Sequence, residues 1–227
     1  VLADPVFSPR IGVGLGLMTA GPARLVGVPV GLRELPVPDV VLVSHAHFDH
    51  LDRPTLARLP KRAEVVTSEH NTDLVGDFGY RAVHELKWGA SREVAGVRIT
   101  AVPVRHWGAR VFHDAHRGAC AFLLEADGVR ILFGADSAHF DGWKGLGPVD
   151  LCCVGIGAYN PWVANHATPE QAAEMVKDCE ARFVLPMHHS TFKLSHEPIA
   201  EPMHRFRAVI PAEKIAISQV GGEWKGK

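Results

Sequence analysis

Residues 45–50 read His-Ala-His-Phe-Asp-His, three imidazoles and a carboxylate within six positions, directly after the apolar run Val40–Val43. Side chains that compete for the same partners gain little from such crowding, whereas imidazole and carboxylate together suit zinc and its neighbours. His45 and His47, two residues apart, can face one side and share an ion. Asp49 and His50 are adjacent, point apart more readily than they converge, and favour a second ion. Three further polar residues close apolar runs: His106 after "ITAVPVR", Asp136 after "RILFGA" and His188 after "RFVLPM". A common sheet would deliver all three to one edge, where α/β proteins place their active sites. Five histidines and two carboxylates are more than one tetrahedral ion can use.

The elements that must position these residues form an α/β pattern. Val40–Val43 is a continuous apolar, β-branched run suited to a strand buried on both faces. Residues 53–59 read as a short helix with Pro54 in its first turn. "AEVVTS", "GVRITAVPV", "VDLCCVGIG", "ARFVLPMHH" and "EKIAISQ" read as strands. The two runs of "ACAFLLEADGVRILFGAD" are joined through Asp127-Gly128, a pair suited to a tight hairpin turn. Thr168-Pro169-Glu170-Gln171 opens a helix with a capping box. The stretch from Ile11 to Leu32 is broken by Gly, Pro and Arg and reads as an irregular apolar loop. Its Gly12, Gly14 and Gly16 lack the third glycine of a dinucleotide fingerprint.

Composition narrows the classes. With 227 residues, 47% hydrophobic, one domain spanning 1–227 is expected. Twenty-four basic against 25 acidic residues leave a formal charge of −1, so no global field recruits nucleic acid, and no basic-aromatic stripe tracks a single strand. No apolar run reaches membrane-spanning length. Cys120, Cys152, Cys153 and Cys179 show no Cys-x-x-Cys spacing and read as core residues of a reducing compartment. The expected localisation is cytoplasmic, with peripheral membrane contact as the alternative, and the apolar Ile11–Leu32 loop offers a surface for a greasy substrate. The sequence leaves the oligomeric state open.

"HAHFDH" resembles the His-x-His-x-Asp-His signature of the metallo-β-lactamase-fold hydrolases. "PVRHWGAR", "LFGADSAHF", "IGAYNPW" with "NHATPEQA", and "PMHHSTFKLSHEP" are similar to the branch containing N-acyl-phosphatidylethanolamine-hydrolysing phospholipase D and its bacterial relatives. The resemblance runs from Asp4 almost to the C-terminus. It implies an αββα sandwich, two mixed β-sheets flanked by helices, and further strands upstream of Asp4 that this chain is expected to lack. It also implies two zinc ions per chain, with iron or manganese as substitutes: His45, His47 and His106 on one, Asp49, His50 and His188 on the other, and Asp136 between them. His166 of "NHATPEQA" is implied to lie near the reacting group. Departures are His189-Ser190 in place of Trp-Gly, Ala109 in place of Ser and His139 in place of Tyr.

Two zinc ions roughly 3.5–4 Å apart would share a hydroxide and present it to an electrophile. The expected function is therefore a dinuclear zinc-dependent phosphodiesterase, phospholipase D-like, acting on a small-molecule or lipid phosphodiester. Asp136 bridges the ions, and His166 or Asp49 assists leaving-group protonation. A lactonase or amide hydrolase is the alternative enzyme, and a non-catalytic metal-binding protein the alternative outside catalysis. Seven ligands argue against the latter, since a structural zinc needs four. Asp52 is expected either to receive the far N–H of a ligating imidazole or to cap the helix at Arg53. His70, His84, His113, His116, His196 and His204 read as surface or loop residues. His139 and His189 read as pocket-lining or hydrogen-bonding residues, and Phe48, Trp107 and Trp162 as pocket walls.

Overall fold

The computed structural model describes residues 1–16, 18–111 and 113–226. Its elements, in chain order, are β1 (Leu2–Ala3), β2 (Val13–Leu15), β3 (Met18–Ala20), β4 (Val40–Val43), α1 (Arg53–Arg58), β5 (Glu64–Ser68), α2 (Thr72–Val75), β6 (Ala82–Leu86), β7 (Ser91–Val94), β8 (Val97–Val102), β9 (Ala121–Ala126), β10 (Val129–Phe133), β11 (Leu151–Gly155), α3 (Pro169–Asp178), β12 (Phe183–Met187) and α4 (Glu201–Val209). One sheet has the order β1-β4-β5-β6, and its pairs are parallel. The other, β12-β11-β10-β9-β8-β7, mixes parallel pairs at the β12 end with antiparallel hairpins at the β7 end.

The side-chain alternation of β4 shows how the layers stack. Val40 and Leu42 pack with Ile99 and Phe122 in the apolar layer between the sheets. Val41 and Val43 pack with Leu56, Leu59 and Val75 under α1 and α2. A strand buried on both faces reads as an unbroken apolar run, and each fully buried valine or leucine contributes about 1.5–3 kcal/mol. On the far side, Trp143, Met175, Phe206 and Val184 close the layer between the six-stranded sheet and α3 and α4. The order helix, sheet, sheet, helix is the sandwich that the sequence resemblance implied.

Local signals explain several junctions. Asp127 (φ 50°) and Gly128 (φ 77°) make the β9–β10 turn. At α3, the Thr168 hydroxyl accepts from the Gln171 amide at 3.3 Å, and the Gln171 side chain accepts from the Thr168 amide at 3.0 Å. The four cysteines are free, and Cys152 is fully buried.

Two expectations are corrected. The Ile11–Leu32 stretch is not wholly irregular: β2 and β3 pair as a ribbon, with Leu17 outside the described residues. Gly12 and Gly21 permit this, because a Cβ on either would lie 2.0–2.1 Å from a carbonyl oxygen across the ribbon. The strand read at "EKIAISQ" shrinks to one bridge, Ile215 to Val184, with the Ala216 amide on the Val184 carbonyl at 2.8 Å. Pro186, two residues on in β12, has no N–H for the next rung. No described helix is long and apolar enough to cross a membrane.

Candidate metal centre

The parallel strand β4 and the co-directional strands β8, β10 and β12 end at one rim of the sandwich. Beyond β4 the chain winds into a single turn, with the His50 and Leu51 amides both on the His47 carbonyl (3.1 and 2.8 Å). This turn carries His45, His47, Asp49 and His50. Beyond β8, β10 and β12 come His106, Asp136 and His188. The seven side chains meet in two overlapping groups, His45-His47-His106-Asp136 and Asp49-His50-Asp136-His188, whose donor atoms lie within 4.8 Å of one another in each group.

In the first group, His47 Nδ1 is 2.9 Å from His45 Nε2 and 3.2 Å from His106 Nε2. Asp136 Oδ2 stands 3.9 Å from both His45 and His106 Nε2. In the second, Asp136 Oδ2 is 3.1 Å from His50 Nε2 and 3.2 Å from His188 Nε2, while Asp49 Oδ2 is 3.1 Å from His188 Nε2. His166 adjoins both, with Nδ1 3.8 Å from Asp136 Oδ2 and its ring stacked on His188 at 5.3 Å between centroids.

Partners behind the rings fix their orientation. His106 Nδ1 donates to the Asn165 carbonyl at 3.0 Å, which turns the Nε2 lone pair inward. His50 Nδ1 donates to Asp4 Oδ2 at 2.6 Å. Asp4 also accepts from the Ser44 amide (2.7 Å) and hydroxyl (2.6 Å), and that hydroxyl sits 2.9 Å from His45 Nδ1. One carboxylate thus reaches both groups. Imidazoles that bind metals characteristically carry such outer partners.

Electrostatics set a demand for positive charge. Burial holds the His45 ring well below its ordinary pKa and brings His47 and His106 to about 4, so these rings stay neutral with free lone pairs. Burial opposes charge on His50 and His188 too, but Asp136 and Asp49 outweigh it and raise both. Asp49 and Asp136 feel burial upward, yet these imidazoles hold both below the usual carboxylate range. Asp136 Oδ1 is buried without a hydrogen-bond partner. Converging lone pairs, buried carboxylates and an orphaned carboxylate oxygen are what a pair of divalent cations would satisfy, so the residues present fit such a pair.

Other expected residues fall elsewhere. Asp52 reaches no imidazole: it stands at the N-cap position of α1, as the alternative reading expected, though without a side-chain bond to a helix amide, and it accepts from the Thr55 hydroxyl and the Ser8 amide (3.2 Å), tying the N-terminal segment to α1. The carboxylate behind the imidazole is Asp4, which sequence reasoning missed. Phe48 is no cleft wall; it lies under the Arg110 guanidinium, 4.0 Å from its ring centre. Arg110 also donates to the Ala46 and Leu51 carbonyls (2.7 and 2.8 Å) and so clamps the ligand turn. His84 sits on β6 rather than in a loop and pairs with Glu64 at 2.7 Å, far from the rim. His139 pairs with Glu174 at 3.2 Å. His189 lines cavities beside the centre and sits 2.9 Å from the Ser190 hydroxyl.

Two cavities meet at the rim. A cleft of about 250 Å³ is walled by Trp107, Trp162, Ala158, Asn165, His166 and Leu194 and floored by His47, Asp49, Asp136 and His188. A second, of about 240 Å³, approaches Asp49, His50 and His188 from the other side and includes Arg24, Met187 and Phe192. The Arg24 guanidinium lies over Phe192 and donates to the Val6 carbonyl.

Known proteins resemble this chain in sequence and in fold. Residues 1–189 match the family model described as the beta-lactamase superfamily domain. The chain is 32% identical, over 90% of its length, to the mitochondrial N-acyl-phosphatidylethanolamine-hydrolyzing phospholipase D of Saccharomyces cerevisiae. It is 30% identical, over 82% of its length, to a UPF0173 metal-dependent hydrolase of Thermococcus onnurineus, 80% of which it covers. An isothiocyanate hydrolase from Delia radicum gut bacteria superposes with a TM-score of 0.75 at 19% identity, over 99% of this chain and 91% of that one, a likeness of fold. The chain spans 47% of the yeast relative and 61% of an uncharacterized Mycobacterium tuberculosis relative to which it is 31% identical over 96% of its own length.

Proposed function

Because the chain belongs to the metallo-β-lactamase superfamily, we propose that it is a dinuclear metal-dependent phosphodiesterase, with zinc the expected ion and a lipid-like phosphodiester the expected substrate class. The observation that carries the reading is the shared carboxylate: Asp136 belongs to both donor groups, and neither group is complete without it. The substrate class is supported by the relatives from S. cerevisiae and Caenorhabditis elegans, both named as N-acyl-phosphatidylethanolamine-hydrolyzing phospholipases D.

His45, His47, His106 and Asp136 would hold one cation, and Asp49, His50, His188 and Asp136 the other. When bound, such a pair supplies Lewis acidity and stabilises charge gathering on a phosphoryl group. The remaining work falls to the chain. Asp4 and the Asn165 carbonyl fix two of the imidazoles, so little reorganisation is needed when a substrate arrives. His166, brought to about 4 by burial, is neutral at physiological pH. It therefore serves as an N–H donor to a phosphoryl or departing oxygen rather than as an imidazolium acid. Asp49, which would be a carboxylate ligand of the second cation, accepts hydrogen bonds and is placed to orient rather than to protonate.

Elemental analysis together with turnover of bis(p-nitrophenyl) phosphate, before and after chelation, tests this. About two ions per chain and chelation-sensitive turnover are expected. Two ions with hydrolysis of a simple lactone and none of the phosphodiester would overturn the substrate class, and absence of metal would overturn the centre.

A further inference from the structure

Trp107 and Trp162 stand apart from the other large apolar residues of the rim. Trp143 is fully buried, but these two are 54% and 52% exposed, and both face the cleft over the candidate metal centre. An indole left half in water forgoes burial of a large apolar surface, and two of them flanking one cleft mark a place where something apolar is received.

The chain segments that carry both indoles are joined to the centre. Trp107 follows His106 directly and meets the His47 ring edge-on, 5.4 Å between centroids at 73°. The Trp162 carbonyl accepts the Asn165 amide (2.8 Å) and the His166 amide (3.0 Å), closing a turn whose Asn165 carbonyl receives His106 Nδ1. The backbone that carries Trp162 and the indole of Trp107 are thus both joined to the imidazoles of the centre.

The charge pattern narrows what that ligand is. Among the described residues lining this cleft there is no lysine or arginine. Its two carboxylates, Asp49 and Asp136, are already engaged by His50 and His188. Above the centre itself, an anionic arm would find no lysine or arginine counter-charge on the walls, and an ammonium arm would lose water without gaining a free carboxylate. Leu194 and Ala158 complete a surface suited to neither.

We propose that Trp107 and Trp162 are specificity-determining residues that clamp an uncharged, apolar arm of the substrate beside the scissile bond. The inference rests on the hydrolase reading of the same site. The clamp selects for an aryl or alkyl group and against arms bearing carboxylate, phosphate or ammonium.

The test separates the clamp from the centre. Binding to the full chain is measured by indole fluorescence for three phosphorus-free probes, a phenyl-bearing alcohol and its carboxylate and trimethylammonium analogues, with the centre saturated by methylphosphonate, whose own binding is titrated first as a probe of the centre alone. The neutral probe is expected to bind about tenfold more tightly than either charged one, and Trp107→Ala and Trp162→Ala each to lose about tenfold for it. Trp88→Phe, at an exposed indole outside the cleft, is expected to leave this affinity unchanged. Equal affinity for the three arms, or neutral-probe binding untouched by both alanine variants, overturns the clamp. Preference for the trimethylammonium probe overturns it in favour of cation recognition. If the neutral probe behaves as expected while methylphosphonate does not bind, the clamp stands and the phosphodiester reading falls.

Discussion

The two halves of the candidate centre are fixed by different means. The turn after β4 carries four of its residues and is braced from outside by polar contacts: Arg110 clamps its carbonyls, and Asp4 and Ser44 hold its imidazoles from behind. The other three come from separate strands of the six-stranded sheet; the Asn165 carbonyl holds His106, and backbone conformation does more of the holding at Asp136 and His188. Ala135, just before Asp136, and His188 itself adopt left-handed φ values of 49° and 60°. Such angles cost a non-glycine residue about 1–3 kcal/mol and persist only where surrounding packing enforces them. The Gly157 backbone presses against His188, leaving its carbonyl oxygen 2.2 Å from where a Cβ would stand. A contiguous turn can be stiffened by hydrogen bonds; residues arriving singly must be aimed by the strands that carry them.

The largest effect is expected at the strand-borne residue that the two donor groups share, and through which the two halves meet. Asp136→Ala is expected to lower turnover roughly a thousandfold and to reduce metal content at both positions rather than one, read by steady-state assay and elemental analysis. Gly157→Ala attacks the strand-aimed half alone. The added methyl is expected to cost about 1–3 kcal/mol of stability, read by thermal denaturation, and to weaken the His188 side of the centre. Asp4→Asn attacks the braced half. It keeps the shape but removes the charge on the bond to His50 Nδ1, and metal affinity is expected to fall about 10- to 100-fold, measured against a competing chelator.

The smallest effect lies away from both halves and serves as a baseline. Arg205 on α4 bonds Glu170 on α3 at 2.7 and 3.0 Å and brings that carboxyl down to about 2. Because the folded value lies below the unfolded one, the stabilisation is present above the ordinary carboxylate range and is lost as pH falls towards about 2. Both side chains are more than a third exposed, so Arg205→Gln is expected to cost under about 1 kcal/mol at neutral pH, and the difference from the parent to shrink on acidification.

Much of this was legible in the sequence, for reasons that differ by region. The ligand turn was readable because its donors are nearly consecutive, and the strands because apolar runs end in isolated polar residues. Asp4 was not. Its role exists only because β1 lies parallel to β4, putting residue 4 against residue 44 with the Asp4 amide on the Leu42 carbonyl. Arg110 escaped notice for the same reason, as its contacts cross about 60 residues of chain. The β2–β3 ribbon was hidden by the glycines that permit it, and the last strand was overcounted because the missing rung lies at Pro186 in its partner.

The anchoring of β4 has a consequence for how the molecule breathes. Val41, Leu42 and Val43 are fully buried, and the strand is hydrogen-bonded on one side to β1 and on the other to β5. Amide protons in such a central strand exchange with solvent only when the whole domain opens. The ligand turn starts one residue later, with its first imidazole, His45, buried. The Trp162–His166 turn lies between β11 and α3, outside either sheet, so the floor of the cleft and its wall are held by separate parts of the fold.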